Sequence, residues 1–214
     1  MKTYFTADPH IGHVNMTRAG KDLCGRPFDS VDEMNEALLE GINSVVGAED
    51  QLVILGDVCM GKLDDSLAVL SRIRAGQVFL IPGNHDRFSN AYHHKKGEGE
   101  RTKYAARYEV DDRFWAVPDK TPSAWRGHEL GVGYDRKHPL GKVWFSHYPY
   151  DGDSHGEDRY AHLRVSDAGR LPIIHGHVHT EWRVKGRQFN VGVDVNEFRP
   201  VGEEELADWV RSLE

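Results

Sequence analysis

The first 81 residues alternate short apolar segments with amphipathic helical segments, and this order restricts the fold more than any other feature of the sequence. Strands are predicted over residues 2–7, 51–55 and 77–81. The first intervening helix begins at a capping box formed by Ser30 and Glu33, and the second carries leucines at positions 63, 67 and 70. A strand–helix–strand–helix–strand order predicts parallel strands with the helices packed against the sheet.

The second half of the chain has a different character, with short apolar segments separated by turns rich in Gly, Pro and Asp. Predicted strands cover residues 107–110, 114–117, 130–134, 142–146, 173–174, 182–184 and 189–195, and a predicted helix covers 203–213. No internal repeat or linker separates the two halves. We therefore predict a single domain over residues 1–214, an α/β fold in which two packed sheets are flanked by helices.

Composition excludes several classes of protein. The 214 residues suffice for a sizeable core. No apolar segment approaches the ~20 residues that span a membrane, so no membrane association is expected. The net charge of −7 opposes wrapping of duplex nucleic acid. The first ten residues lack the apolar stretch of a secretory signal, and Cys24 and Cys59 are too few for a disulfide framework, so we expect a cytoplasmic protein.

Five predicted strands run into side chains that can bind a metal ion. These ends read Asp8-Pro9-His10, Gly56-Asp57, Gly83-Asn84-His85-Asp86, Ser146-His147 and Gly176-His177-Val178-His179. Each alone has an ordinary explanation as turn chemistry or as a buried core histidine. Ligands bind at the carboxyl edge of α/β sheets, however, and five such ends in one chain favour a shared metal site.

The residue types indicate two divalent ions and an anionic substrate. Imidazole nitrogens, carboxylate oxygens and an amide carbonyl suit borderline divalent metals. Asp8 and Asp57 supply only two negative charges, so two divalent ions leave about two positive charges, which a phosphate dianion would neutralise. Two ions roughly 3.5–4 Å apart clamp the attacking and leaving oxygens of an in-line displacement. The sequence therefore favours phosphoester chemistry.

In these motifs, from residue 8 to residue 179, the sequence resembles the calcineurin-like metallophosphoesterases. The wider context is similar to a small bacterial and phage subfamily, through Gly12-His13-Val14-Asn15, Arg26-Pro27-Phe28, Ser146-His147-Tyr148-Pro149 and the segment 190–196. The resemblance implies a four-layer α/β-β/α sandwich. It also implies a hydrolase that cleaves phosphate mono- or diesters, a phosphatase or a phosphodiesterase.

The resemblance implies a role for each motif residue. One metal ion would be held by Asp8, His10, Asp57 and His179. Asp57 would bridge to a second ion, held also by Asn84, His147 and His177. We expect Mn²⁺ at both positions, with Fe, Ni, Co or Zn as alternatives. A water or hydroxide bridging the ions would attack phosphorus. His85 would act as the general acid, and Asp86 would orient its ring and raise its pKa.

Residues beside the motifs carry further predictions. His13 and Asn15 would either contact the substrate or hydrogen-bond to the metal ligands. Pro9 biases Asp8 towards an extended backbone. Cys59 is expected to be a small buried hydrophobe rather than a soft metal ligand.

Substrate choice is expected to depend on residues 87–142, a candidate specificity or lid region, and on the loop 151–160 that borders the site. Residues 87–107 hold six Lys and Arg against two Glu, and Lys95 and Lys96 would either recruit an anionic substrate or form a solvated loop. The expected partner is a phosphorylated small molecule or nucleotide. A nuclease and a catalytically inert scaffold of the same fold stay as alternatives.

Overall fold

The computed structural model describes residues 1–89, 91, 98–117, 140–155, 159–165 and 171–214. The strand predicted over 130–134 and the basic pair Lys95 and Lys96 lie outside the described residues. The candidate specificity region, 87–142, is described only in part, chiefly between residues 98 and 117.

The described residues form strands, α-helices and three short 3-10 turns. In chain order the strands are β1 (Thr3–Thr6), β2 (Gln51–Leu55), β3 (Gln77–Ile81), β4 (Phe114–Ala116), β5 (Trp144–Phe145), β6 (Ile173–His175), β7 (Val184–Lys185), β8 (Gln188–Asn190) and β9 (Val201–Gly202). The helices are α1 (Val31–Val45), α2 (Leu63–Leu70), α3 (Glu98–Tyr108) and α4 (Glu203–Arg211). The 3-10 turns cover Val14–Met16, Ala161–Leu163 and Val193–Val195.

Two mixed sheets form the framework, which confirms the predicted fold class. The first sheet has the order β4-β3-β2-β1-β9, in which β9 is antiparallel and the others are parallel. The second has the order β5-β6-β8-β7, in which β7 is antiparallel. Ala7 joins the sheets, because its N–H donates to Val191 O (3.1 Å) and its carbonyl accepts from Val193 N–H (3.0 Å). The carboxyl ends of β1 and β8 therefore meet.

Alternating side chains of the central strands build two apolar layers. Leu52 and Ile54 of β2 belong to the layer that packs against α1, α2 and α3. Val53 and Leu55 belong to the layer between the two sheets, which Leu206 of α4 also enters. Since β2 is buried on both faces, its sequence is a continuous apolar segment rather than an alternating one.

On the outer face of the second sheet, Trp144 and Ile173 pack with Val165, and Tyr150 and Leu171 lie beside them. The described part of this face is thus covered by the segments that flank β5 and β6. Within the described residues, no helix combines the length and the apolar character needed to cross a membrane.

The strand predicted over 107–110 is wrong, because helix α3 extends to Tyr108. Charged and apolar residues alternate over 107–110, a pattern typical of a strand. Ala105 and Tyr108, three positions apart on one helical face, are buried, and the Tyr108 ring lies 4.7 Å from that of Phe88. Burial of this face outweighs the local alternation. The strand predicted over 189–195 is also too long, because β8 ends at Asn190 and a 3-10 turn follows.

Truncation of Leu80 tests the packing of the first sheet against its helices. Leu80 is fully buried in that layer, so Leu80→Ala should lower the free energy of unfolding by about 2–5 kcal/mol. Leu23 is 51% exposed, and Leu23→Ala should change the same quantity by no more than about 0.5 kcal/mol. Urea unfolding followed by circular dichroism measures both, and equal losses would contradict the described burial.

Candidate metal centre

The ends of the central strands bring the predicted metal ligands into one cluster. Ligand atoms of Asp8, His10 and His179 lie within 4.8 Å of one another, and so do those of Asp8, Asp57 and His147. Asn84 Oδ1 lies 3.1 Å from His147 Nε2, and the rings of His147 and His177 are 5.1 Å apart between centroids. The cluster contains all seven residues predicted as ligands: Asp8, His10, Asp57, Asn84, His147, His177 and His179.

The backbone at this cluster adopts an unusual conformation. Left-handed φ angles between +47° and +75° occur at Asp8, His10, Asp57, His177 and His179. Residues other than glycine rarely adopt this region, and they keep it only where surrounding contacts over-determine it, commonly at functional sites.

The extended geometry predicted for Asp8 is wrong, because its φ is +57°. Its N–H donates to Gly56 O (3.0 Å), and its Oδ2 accepts from the N–H of His177 (2.9 Å). These bonds to neighbouring strand ends outweigh the local bias from Pro9.

Two motif glycines leave room for ligands. A Cβ at Gly56 would fall against Nδ1 of His147, and a Cβ at Gly176 would fall against Oδ2 of Asp8. Both ligands are buried, so neither can give way without moving the cluster. The glycines are therefore required by close approach of the ligands to the backbone.

The surroundings of His147 show whether a cation fits. Nδ1 of His147 lies 2.9 Å from the carbonyl oxygen of Leu55, so Nδ1 carries the proton and donates it. Burial lowers the pKa of His147, so the ring is neutral and Nε2 holds a lone pair. Asn84 Oδ1 at 3.1 Å and Asp57 Oδ2 at 3.6 Å face this nitrogen. Three potential ligand atoms, one nitrogen and two oxygens, therefore converge, and a divalent cation satisfies such a set.

His10, on the other side of Asp57, also presents buried nitrogen atoms that could bind a cation. Both ring nitrogens of His10 are buried without a described hydrogen-bond partner, and Nε2 lies 3.5 Å from Asp57 Oδ2. Asp8 Oδ1 is also buried without a described partner. Burial lowers the pKa of His10 well below its usual range and raises that of Asp57 to about 7. The donor set therefore fits cations on both sides of Asp57.

Asp194 and Arg26 hold His179 from behind. Nδ1 of His179 lies 2.8 Å from Asp194 Oδ2, which leaves Nε2 to face Asp8 and His10. The buried guanidinium of Arg26 donates to Asp194 Oδ1 (2.7 Å) and to the carbonyl oxygen of Asp8 (2.7 Å). Metal-binding histidines commonly have such a partner, which fixes the tautomer and the ring orientation. Both residues lie in motifs of the resemblance, Asp194 within the segment 190–196, but the sequence did not predict that they pair behind His179.

Cys24 also lies near this pair, and its thiol forms a group of potential ligands with His179 and Asp194. The guanidinium of Arg26 already neutralises Asp194, so this group is poorly suited to a further cation.

Asp153 bonds the ring of His177, as Asp194 bonds the ring of His179. Nε2 of His177 lies 2.9 Å from Asp153 Oδ2, which leaves Nδ1 as the ligand atom. Burial and the nearby His147 lower the pKa of His177 to about 2, so its ring is neutral, as a metal ligand requires. Sequence reasoning placed only the loop 151–160 near the site. Nothing in the order of residues distinguishes Asp153 from Asp151, since both flank one glycine.

Asp86 does not have the role predicted for it. Its buried carboxylate accepts hydrogen bonds of 2.7–2.9 Å from the backbone N–H groups of Asp57, Val58 and Gly83. It therefore fastens the turn after β2 to the turn after β3 rather than orienting the His85 ring.

The expected rise in the pKa of His85 is also wrong. Burial first, and then the charges of His179 and Arg159, lower it to about 4. His85 is therefore neutral near pH 7.

Two further histidines stand beside the cluster. The His85 side chain is 42% exposed, and its ring lies 5.4 Å from that of His10. The His13 ring lies 5.3 Å from His10 and 6.4 Å from His85, and its Nδ1 is buried without a described partner. Asn15 follows in the turn Val14–Met16. Cys59 lies in the helix–sheet core, in agreement with its expected role as a small buried hydrophobe.

Comparison with known proteins defines the class. The calcineurin-like phosphoesterase family matches residues 1–181, so the chain belongs to this family, and the predicted resemblance is confirmed. The Gene 66 protein of Mycobacterium phage L5 is 31% identical over 217 residues, which cover 99% of this chain and 95% of that protein. The Gene 66 protein of Mycobacterium phage D29 is 32% identical over 197 residues, which cover 89% of this chain and 87% of that protein.

A solved structure shares the fold. AQ665 from Aquifex aeolicus superposes with a TM-score of 0.59 at 21% identity, and the match covers 98% of this chain and 99% of that chain. Family membership and the clusters of candidate ligands together support a metal-dependent phosphoesterase.

Removal of the charge behind His179 tests the part played by Asp194. Asp194→Asn should weaken binding of Mn²⁺ by about 10- to 100-fold, because the His179 ring loses the negatively charged acceptor that fixes its tautomer and raises its basicity as a ligand. Asp208 has a side chain that is 74% exposed, and Asp208→Asn is the matched control. Isothermal titration calorimetry measures the affinity, and circular dichroism confirms that each variant is folded. Equal affinities in both variants would contradict the assignment.

Proposed function

We propose that the protein is a phosphoesterase that binds two divalent ions, with Mn²⁺ as the first candidate, and hydrolyses a phosphorylated small molecule or nucleotide. The observation that carries this proposal is the position of Asp57 Oδ2, which lies 3.5 Å from His10 Nε2 and 3.6 Å from His147 Nε2. A carboxylate oxygen between two unprotonated nitrogens matches a ligand shared by two cations.

Bound divalent ions supply Lewis acidity to the phosphoryl oxygens and lower the pKa of the attacking water. The chain supplies a rigid arrangement of acceptors for them. Asp8, His10 and His179 serve one side of Asp57, and Asn84, His147 and His177 serve the other. Because backbone and carboxylate partners fix the rings of His147, His177 and His179, little reorganisation is needed when charge develops on the substrate.

His85 is the proposed general acid. Its backbone N–H donates to Asp57 Oδ1 (2.8 Å), which holds the partly exposed ring beside the ligands. The ring is neutral near pH 7, and a phosphate dianion beside it raises the pKa of an imidazole. Binding of an anionic substrate therefore favours protonation of His85, and that proton passes to the departing oxygen. His13 and Asn15 are the proposed substrate contacts next to it.

A nuclease and an inert scaffold are the alternative functions. The net charge of −7 opposes binding of a long nucleic acid. The presence of both His10 and His85 opposes an inert scaffold. Aryl monoesters, aryl diesters, cyclic nucleotides and single-stranded DNA, each assayed with Mn²⁺, separate the three functions. Cleavage of DNA alone would favour the nuclease, and cleavage of no substrate would favour the scaffold.

Metal removal tests the proposed centre. Protein treated with a chelator should be inactive and should recover with Mn²⁺, and elemental analysis should find about two ions per chain in the parent. Asp57→Ala should lose more metal than Asp8→Ala, because Asp57 Oδ2 faces histidines on both sides. Full activity in metal-free protein would end the proposal.

Replacement of His85 tests the general acid. His85→Asn should keep both metals and lower kcat by about 10²–10⁴ on esters with alcohol leaving groups. The loss should be much smaller for p-nitrophenyl esters, whose leaving group departs as an anion. His162, exposed in the turn Ala161–Leu163, provides the control His162→Asn. Equal losses on both kinds of ester would assign His85 to charge stabilisation instead.

A further inference from the structure

Within the described residues 149–155 and 159–165, hydrogen bonds join points that are distant in the sequence. Arg164 donates to the carbonyl oxygens of Pro149 (3.1 Å), Gly152 (2.9 Å) and Arg159 (3.0 Å). Tyr160 has a left-handed φ of +57°, and its ring lies 5.8 Å from that of His177. The guanidinium of Arg164 thus connects three backbone carbonyls and positions the backbone of Arg159.

Asp153 connects this segment to the candidate metal centre. Its side chain is 1% exposed and accepts from both His177 Nε2 (2.9 Å) and Arg159 Nη2 (2.7 Å). Its Oδ1 makes the shortest bond to Arg159, and its Oδ2 makes the bond to His177. Asp153 therefore links the guanidinium of Arg159 to the imidazole of His177.

Arg159 differs from the other arginine that supports the site. The Arg26 side chain is fully buried and bonded to Asp194 and to two backbone carbonyls. The Arg159 side chain is 35% exposed, and its bonds to Asp153 use only Nε and Nη2. Within the described residues, Nη1 of Arg159 has no partner. Arg159 therefore offers N–H donors to solvent at the edge of the site.

The ring of Tyr160 also lies between Arg159 and the cluster. The guanidinium carbon of Arg159 is 5.7 Å from the centroid of the Tyr160 ring, and that ring is 5.8 Å from the ring of His177. Arg159 therefore lies beside the candidate metal centre, next to one of its proposed ligands.

We propose that Arg159 binds the phosphoryl oxygens of the substrate and selects phosphomonoester dianions over diesters. A monoester carries one more negative charge and one more unesterified oxygen than a diester, and a planar guanidinium recognises such oxygens through paired N–H donors. The inference rests on the phosphoesterase activity proposed above and names the substrate class of that site.

The test compares esters that share one leaving group. Parent protein, Arg159→Gln and Arg159→Lys, all loaded with Mn²⁺, are assayed with p-nitrophenyl phosphate and with methyl p-nitrophenyl phosphate. Arg159→Gln should lower kcat/KM for the monoester by about 10- to 100-fold and for the diester by less than about threefold. Arg159→Lys should lie between parent and Gln on the monoester, because it keeps the charge and loses the paired donors.

Two further measurements separate binding from structure. Isothermal titration of inorganic phosphate into the Mn²⁺-loaded proteins should show weaker binding in Arg159→Gln, with unchanged metal content by elemental analysis. Arg183→Gln, which removes a partly exposed arginine paired with Glu205, should match the parent in both measurements.

The following results would contradict the proposed role of Arg159 or the proposed function. Equal losses on the two esters, or none, would overturn the selection of monoesters. Loss of metal in Arg159→Gln would overturn the binding role and make Arg159 a positioning residue that acts through Asp153 and His177. A parent that cleaves neither ester would contradict the proposed function itself. In that case weaker phosphate binding by Arg159→Gln would still support the anion site, and unchanged binding would remove it.

Discussion

The rest of the site depends on the burial of two carboxylates, those of Asp8 and Asp57. Both are surrounded by nitrogen and oxygen lone pairs. Burial of an ionised carboxylate costs several kcal/mol, and the described hydrogen bonds to these two carboxylates are single ones, from the N–H of His177 to Asp8 and from the N–H of His85 to Asp57. Arg26 bonds the carbonyl oxygen of Asp8 and not its carboxylate. Divalent cations are the natural compensation, so metal binding is expected to couple to the stability of these strand ends. The left-handed backbone at the ligands is held by the same contacts.

Three other aspartates lie in or beside the cluster, and their neighbours give each a different function. Asp86 is satisfied by backbone N–H groups and holds two turns together. Asp194 pairs with His179 and with the buried Arg26. Asp153 pairs with His177 and with the partly exposed Arg159. The side chain is the same in each case. Its partners determine whether it joins two turns, pairs with a buried arginine or pairs with a partly exposed one.

The sequence predicted parallel strands with packed helices in the first half, because this depends on apolar periodicity. The polar strand ends predicted a shared site, and the family resemblance then selected the seven residues that meet in the cluster. The sequence could not predict helix α3, where burial of Ala105 and Tyr108 outweighs a local strand pattern. Nor could it predict that Asp86 would turn to backbone N–H groups, or that Asp153 rather than Asp151 would reach His177. These outcomes depend on contacts between residues distant in the chain, and one sequence records no such contacts. The φ of Asp8 differs from its prediction for the same reason.

The two Asp–Arg pairs beside the cluster differ in their exposure to solvent. The pair Asp194 and Arg26 supports His179 from the interior, where the guanidinium is fully buried and has only protein partners. The pair Asp153 and Arg159 supports His177 from the loop side, where the guanidinium keeps 35% of its side chain exposed. His85, 42% exposed, also stands at an open part of the site. The side chains of Arg159 and His85 are therefore accessible to solvent beside the cluster, whereas that of Arg26 is not. The same ion-pair chemistry is structural where water is excluded and is available for recognition where water enters.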